Sequence, residues 1–369
     1  MEHILEEFYE LVQIPSPSLG ERKMADAVKQ KLRELGFLVT EDDAGKITGG
    51  SAGNVFGRLP ATEGFSAEPV LLAAHMDRVP GGDEIRPVTE GGIVRSDGTS
   101  ILAADDLAGV CAIFDGIRRV LSEGLPHPEI EVLFTISEEV KLRGAKNFDF
   151  SKVHAKVAYC MDSSGRIGRI VTGAPKIEEL VIRVYGKTAH AGNEPEKGRN
   201  ALKVAANILC DIKGGRIDHE TTANWAVISA GKVTNLVCGY AEIHGEVRSH
   251  SNEKVTEYEN YVREHVRKKT EGTGLRAEFE AVPNHDAIRV SDDSVCVKRL
   301  QEAFRRIEVP CHTEIGGGGM DANIINSRGI EAVGVAVGYL KNHTFEEMLY
   351  EEDLQKAGSL VYHLISGRG

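Results

Sequence analysis

The chain has 369 residues and carries 44 Lys plus Arg against 56 Asp plus Glu, a formal net charge of -12. At roughly 100 to 200 residues per domain, that length is read as two domains with ample buried core. The scattered acidic excess excludes the clustered basic face of a nucleic-acid-binding protein, and apolar runs such as Val70 to Ala74 and Val132 to Phe134 fall far short of the ~20 residues that a membrane span needs.

From Met1 to about Asp162, helical stretches alternate with short apolar runs. The spacing of Met24, Val28 and Leu32 predicts a helix over 21–35, followed by strands over 54–59 and 69–74. A helix over 106–121 and strands over 130–136 and 156–161 follow. This style resumes near Ser291 with a helix to about Arg306, a strand over 330–337 and a closing helix from about Glu352. Such alternation marks an α/β fold, a mostly parallel sheet with helices on both faces.

The intervening segment reads as strand 178–185, helix 198–213, strands 225–232 and 239–249, helix 253–268 and strand 275–282. The order βαββαβ is that of a ferredoxin-like α+β sandwich. Residues 1–174 and 284–369 are therefore expected to form one discontinuous domain, with residues 175–283 inserted into it. The acidic N-terminus lacks the basic start and small-residue cleavage site of a secretory signal. The six cysteines contain no C-x-x-C pair. Both point to the cytoplasm.

His75 and Asp77 follow an apolar run, and the two-residue strand period points them to one side. Alone this is weak, because His127-Pro128-Glu129, His244-Gly245-Glu246 and His312-Thr313-Glu314 repeat the pattern. Adjacent acids such as Asp105-Asp106 and Glu138-Glu139 also recur elsewhere, usually as a solvated face. What separates His75, Glu138-Glu139, Asp162 and His343 is that each comes at or shortly after the downstream end of a strand-like run. Asp105 sits where an apolar run gives way to a helix. Open α/β sheets place ligand sites outside the carboxyl ends of their strands, so these elements are expected to converge. Two histidines and several carboxylates suit zinc or a similar divalent ion, and a shared carboxylate lets two ions sit ~3.5 to 4 Å apart.

The stretches Ala73 to Asp77, Ser96 to Asp106, Thr135 to Val140, Gly186 to Gly192 and Gly317 to Asn323 resemble the di-zinc exopeptidases and aminoacylases, most closely the peptidase T-like branch. The resemblance covers nearly the whole chain in order. It implies that His75 and Asp162 bind one zinc, that Glu139 and His343 bind the other, and that Asp105 bridges them. It further implies that Asp77 orients His75 from behind and that Glu138 is the general base. In the inserted domain, a lid, it assigns His190 to the oxyanion across a homodimer interface, and Asn235 and Arg248 to substrate. Cobalt or manganese would suit the same ligands.

Two positions depart from the family pattern: Leu107 stands where a Lys is usual, and Met320 where a small polar residue is common. Gly49-Gly50-Ser51-Ala52-Gly53 fits G-x-S-x-G, but the strand follows it instead of preceding it, so no nucleophile elbow is expected. The reading is a metal-dependent aminopeptidase acting on short peptides such as tripeptides. An aminoacylase or carboxypeptidase is the alternative, and a catalytically inactive peptide-binding protein the lesser one.

Overall fold

The computed structural model describes residues 2–82 and 84–367. The chain divides into two compact units, Met1–Ala174 with Arg289–Gly369, and Pro175–Ile288.

In the first unit the central strands are buried along their whole length, as Val70–His75 and Ile130–Thr135 show. Continuous apolar runs of this kind belong to parallel strands covered on both faces. The sheet runs Leu38–Glu41, Val55–Leu59, Ile130–Thr135, Val70–His75, Val157–Ser163, Glu331–Ala336 and Arg169–Ala174, with His312–Ile315 beside the last. Val70–His75 pairs in parallel with both neighbours, and Val157–Ser163 in parallel with Glu331–Ala336. Antiparallel pairs close the Leu38–Glu41 side. Helix Ala104–Ser122 packs on this sheet and against helices Glu2–Val12 and Glu351–Ile365. The fold class expected from the alternation is the one observed.

A second sheet of four short antiparallel strands runs Tyr339–Leu340, Met348–Tyr350, Ile93–Ser96, Pro87–Glu90. The sequence pattern did not reveal it, because two- to four-residue strands carry too few alternations to register. It ties the loop that contains His343 to the rest of the unit.

The second unit is an antiparallel sheet in the order Gly215–Arg216, Thr221–Ala230, Tyr240–Ser249, Lys176–Tyr185, Arg276–His285. Helices Ala201–Asp211 and Asn252–Thr270 pack on it, giving the ferredoxin-like arrangement. Helix boundaries follow their caps: the Asn200 side chain accepts from the Lys203 amide, so the helix begins at Ala201 and not at 198. Gly231, with φ +66°, ends its strand at Ala230. The last strand was expected to stop before Pro283, yet it runs on to His285, which pairs with Ile177. Pro283 is tolerated because this strand lies at the sheet edge and the register slips there.

Asn54, fully buried just before strand Val55–Leu59, connects the edge of the first sheet to the turn carrying Glu138 and Glu139. Its Nδ2 donates to Asp42 Oδ2 at 2.7 Å and to the Gly144 carbonyl at 2.9 Å, and its Oδ1 accepts from the Ile136 amide at 3.1 Å. Asn54→Ala leaves the buried Ile136 amide without its partner, at a cost of about 1–3 kcal/mol, and removes one of two donors from the Gly144 carbonyl, which keeps the Asn147 amide at 3.0 Å. We expect a urea midpoint lowered by the equivalent of about 2–3 kcal/mol. An unchanged midpoint would show that the turn holds without Asn54.

Candidate active site

The candidate residues arrive from the carboxyl ends of the parallel strands. His75 is the last residue of Val70–His75, Asp162 lies near the end of Val157–Ser163, and Glu138 and Glu139 follow Ile130–Thr135. Asp105 opens helix Ala104–Ser122, and His343 lies in the loop after Glu331–Ala336.

Within the first unit these residues meet. His75 Nε2 lies 3.1 Å from Asp105 Oδ1 and 3.7 Å from Asp162 Oδ1. On the other side of the same carboxylate, His343 Nε2 lies 3.2 Å from Asp105 Oδ2 and 2.8 Å from Glu139 Oε1. His75, Asp105 and Asp162 thus form one group of potential ligand atoms within 4.8 Å of one another, and Asp105, Glu139 and His343 form a second. Asp105 belongs to both. The two groups open into a cavity of about 310 Å³ whose wall also includes Glu138, Tyr339, Met320 and the Gly316 to Gly319 loop.

His75 Nδ1 sits 2.9 Å from the Asp77 backbone carbonyl and 3.5 Å from the Asp77 carboxylate. A carbonyl only accepts, so Nδ1 carries a proton, and Nε2 is the nitrogen that faces the ligand group. The carboxylate of Asp77, expected on the imidazole, is used mainly elsewhere: Oδ1 accepts from the Glu138 amide at 2.9 Å, and Oδ2 from the Glu139 amide at 3.3 Å and Ser18 Oγ at 2.7 Å. Glu21 continues the row, its Oε1 accepting from the Ser137 amide at 3.0 Å. With Asn54 on Ile136, four consecutive amides from Ile136 to Glu139 are held by three buried side chains. Ser137 has φ +52° and His343 φ +63°, left-handed conformations that a non-glycine residue adopts only where the surroundings impose them.

The charges are unbalanced in a way that fits cations. Burial pushes the Glu138, Asp162 and Asp106 carboxyls well above the usual range, and the Asp162 charge adds to this for Glu138 and Asp106. Burial also lifts Asp321 to about 6. Burial works against the His75 imidazolium, but Asp162, Asp105 and Asp77 outweigh it and raise its pKa. Hydrogen bonding to Asp105, then to Glu139, lifts His343 to about 10. Among the described residues lining the cavity the only Lys or Arg is Arg169, and its fork is taken by Glu314 at 3.0 and 3.2 Å. Oxygen and nitrogen donors crowded in this way, with no fixed cation among them, are a donor set suited to divalent ions.

Several participants were not anticipated. Tyr339 Oη donates to Asp162 Oδ1 at 3.1 Å and lies 3.3 Å from Asp105 Oδ1. Asn342 Nδ2 donates to Asp105 Oδ2 at 2.6 Å. Glu347 accepts from the amides of Leu102, Ala103 and Asp105. Only the proximity of Asn342 and Glu347 to His343 in the chain could have drawn attention to them. Leu107, the position where a Lys is usual, is buried in the hydrophobic core, which explains the apolar residue there.

His190, Asn235 and Arg248 lie in the second unit. The exposed His190 forms a bridge with Leu236, and its Nδ1 accepts from the amides of Gly192 and Asn193 at 3.2 and 3.1 Å. The Asn235 carbonyl accepts from the Ala191 amide, so these two residues share one small ladder. Arg248, on strand Tyr240–Ser249, makes a two-point pair with Glu246 at 2.8 and 3.1 Å.

Comparison with known proteins agrees with this chemistry. Residues 175–273 match the peptidase dimerisation domain, and residues 54–198 match peptidase family M28. The chain is 38% identical to the uncharacterized protein YqjE of Bacillus subtilis (strain 168) over 362 residues, 98% of this chain and 97% of that one. The aminopeptidase PepT of Bacillus cereus ATCC 10987 superposes with a TM-score of 0.90 at 37% identity, covering 99% of this chain and 97% of that chain. A tripeptidase of Staphylococcus aureus subsp. aureus mu50 gives 0.92 at 32% identity, with the same coverage. Fold and site together define a metallopeptidase, a hydrolase of peptide bonds. Within that class the chain belongs to the peptidase T-like family, the branch its motifs resemble.

Asp77→Ala frees the amides of Glu138 and Glu139 at once. Residues that orient a metal site from behind typically contribute about 10- to 100-fold in metal affinity. We expect a loss of that size in the affinity for a divalent ion such as zinc, measured by competition with a chelator. Retention equal to the parent protein would remove Asp77 from the site.

Proposed function

We propose that this protein is a two-metal aminopeptidase of the tripeptidase type, working on short unblocked peptides. The observation that carries the reading is the pair of ligand groups sharing Asp105, with Glu138 beside them on the cavity wall. His75, Asp105 and Asp162 would hold one ion, and Asp105, Glu139 and His343 the other. Zinc is the first assignment, and cobalt or manganese suits the same donors. Such ions lower the pKa of a water and polarise the carbonyl it attacks.

Glu138 then acts as general base. It takes the proton of the attacking water and returns it to the leaving amine. Its position supports this role, because Asp77 fixes its amide and the residue is only 9% exposed, so burial raises its affinity for a proton. Asp77 fixes the geometry of both Glu138 and His75. In the second unit His190 is assigned to the oxyanion, and Asn235 and Arg248 to the substrate backbone and carboxylate. For Arg248 this requires the Glu246 pair to open. The aminopeptidase and tripeptidase named above as similar support the substrate class.

The same reading includes a cytoplasmic homodimer formed through the second unit. All six cysteines are free, and among the described residues no helix is long and apolar enough to cross a membrane. The match to the peptidase dimerisation domain falls on this unit, where Val227, Ile228 and Tyr240 are exposed. Light scattering at micromolar concentration should give twice the mass of the chain, and a single-chain mass would remove the dimer.

An unblocked tripeptide, its N-acetyl form and its C-amide, with and without a chelator, test the activity. Chelator-sensitive cleavage of the unblocked and amide forms, with the N-acetyl form spared, is expected. Cleavage of the N-acetyl form but not the amide would instead make the protein an aminoacylase or carboxypeptidase. Glu138→Gln should keep both ions and lose about 10²–10⁴ in kcat/KM. Full turnover by that variant would exclude Glu138 as the base.

A further inference from the structure

Glu347 is 1% exposed and makes no ion pair among the described residues. Its Oε2 accepts from the amides of Leu102 at 2.9 Å and Ala103 at 2.8 Å, and its Oε1 from the amide of Asp105 at 3.1 Å. These bonds join a loop just beyond His343 to a turn more than two hundred residues earlier in the chain. The turn needs support, because Ala103 has φ +58°, a conformation costing a non-glycine residue about 1–3 kcal/mol. An apolar side chain would fill the same space without the desolvation penalty of a carboxylate. What the carboxylate adds is two acceptor oxygens spread over three amides of the turn that ends in Asp105. The same loop also reaches the Asp105 side chain, through Asn342 on Oδ2 at 2.6 Å and Tyr339 on Oδ1 at 3.3 Å.

We propose that the 339–347 segment is a clamp that sets the orientation of the Asp105 carboxylate, so that each oxygen faces one ligand group. Glu347 is the positioning residue for the Asp105 backbone, and Asn342 for its Oδ2. The proposal rests on the two-metal reading above. The clamp acts on Asp105 from the side of His343, so its loss falls first on the ion shared with Glu139 and His343. An ion held there would lose a correctly aimed Asp105 Oδ2, while His75 and Asp162 would still be placed to hold the other.

The test uses the full-length protein and two variants, Glu347→Gln and Asn342→Ala. Gln keeps one acceptor and the volume, and Asn342 is half-buried at the rim, so its truncation leaves the core intact. Metal-free protein is titrated with zinc by calorimetry, and kcat and KM are measured on an unblocked tripeptide. The expected result is a parent that binds two ions, with each variant weakening the second by about tenfold or more. In both variants kcat should fall further than KM rises. A parent that binds no zinc overturns the metal reading itself. A parent that binds two ions, with both variants matching it within about twofold in affinity and kcat, overturns the clamp alone. A Glu347→Gln protein that unfolds below the assay temperature makes that residue structural and overturns its assignment.

Discussion

Glu21, Asp77 and Glu347 each set carboxylate oxygens against backbone amides of the turns that carry Ser137, Glu138, Glu139 and Asp105. Those turns include left-handed residues at Ala103 and Ser137, which no local preference would select. Charge-assisted bonds to backbone N–H groups are the stronger kind, and here they are spent on geometry. The side chains facing the cavity therefore sit on backbone whose own hydrogen bonds are already satisfied by buried acids behind it. Rigid support of this kind is what a site needs when its working groups must be aimed to within a fraction of an ångström.

The same acids create the electrostatic problem that the site must solve. Asp105, Asp106, Glu138, Asp162 and Asp321 are brought into one volume because Asp162 and Glu138 come at or just after the ends of strands, and Asp105, Asp106 and Asp321 lie in the first turns of helices Ala104–Ser122 and Asp321–Ser327. Burial and mutual repulsion raise four of the five, and only Asp105, flanked by both imidazoles, is lowered: burial opposes it but His343 and His75 prevail. Among the described residues these carboxylates form no ion pair with Lys or Arg, and such a cluster is stable only if protons or cations are taken up; the two ligand groups are where cations would go.

Much of this was legible in the sequence. His75, Asp162 and the Glu138-Glu139 pair could be placed because buried parallel strands announce themselves as apolar runs, and a polar residue at the end of such a run is conspicuous. The inserted unit was read from the order βαββαβ, and the observed second unit has that order of long strands and helices. What escaped has a common physical cause. Glu347 acts on amides that any residue possesses, so nothing in Leu102, Ala103 or Asp105 signals the contact. Asp77 was read as a partner of the His75 ring, and its carboxylate does lie 3.5 Å from Nδ1; that its nearer contact is its own carbonyl and that the carboxylate also holds the Glu138 and Glu139 amides are features that no local pattern carries. The pairing of strand Arg276–His285 beyond Pro283 depends on which strand is at the sheet edge, a property of topology that no local pattern carries.

The two ligand groups are alike in chemistry and unlike in burial. The side chains of His75 and Asp162 are 1% and 11% exposed, whereas His343 is 46% exposed beside a Glu139 that is 8% exposed. An imidazole on a buried strand end has few rotamers to lose on binding an ion, while one on a left-handed loop position at the cavity mouth must be ordered by its surroundings. Asn342 and Glu347 flank His343 in the chain and both contact the Asp105 segment, so the more open group is the one the loop has to organise. The strand ends that carry His75 and Asp162 thus build the first group as part of folding, and the loop completes the second on the more exposed side of the shared carboxylate.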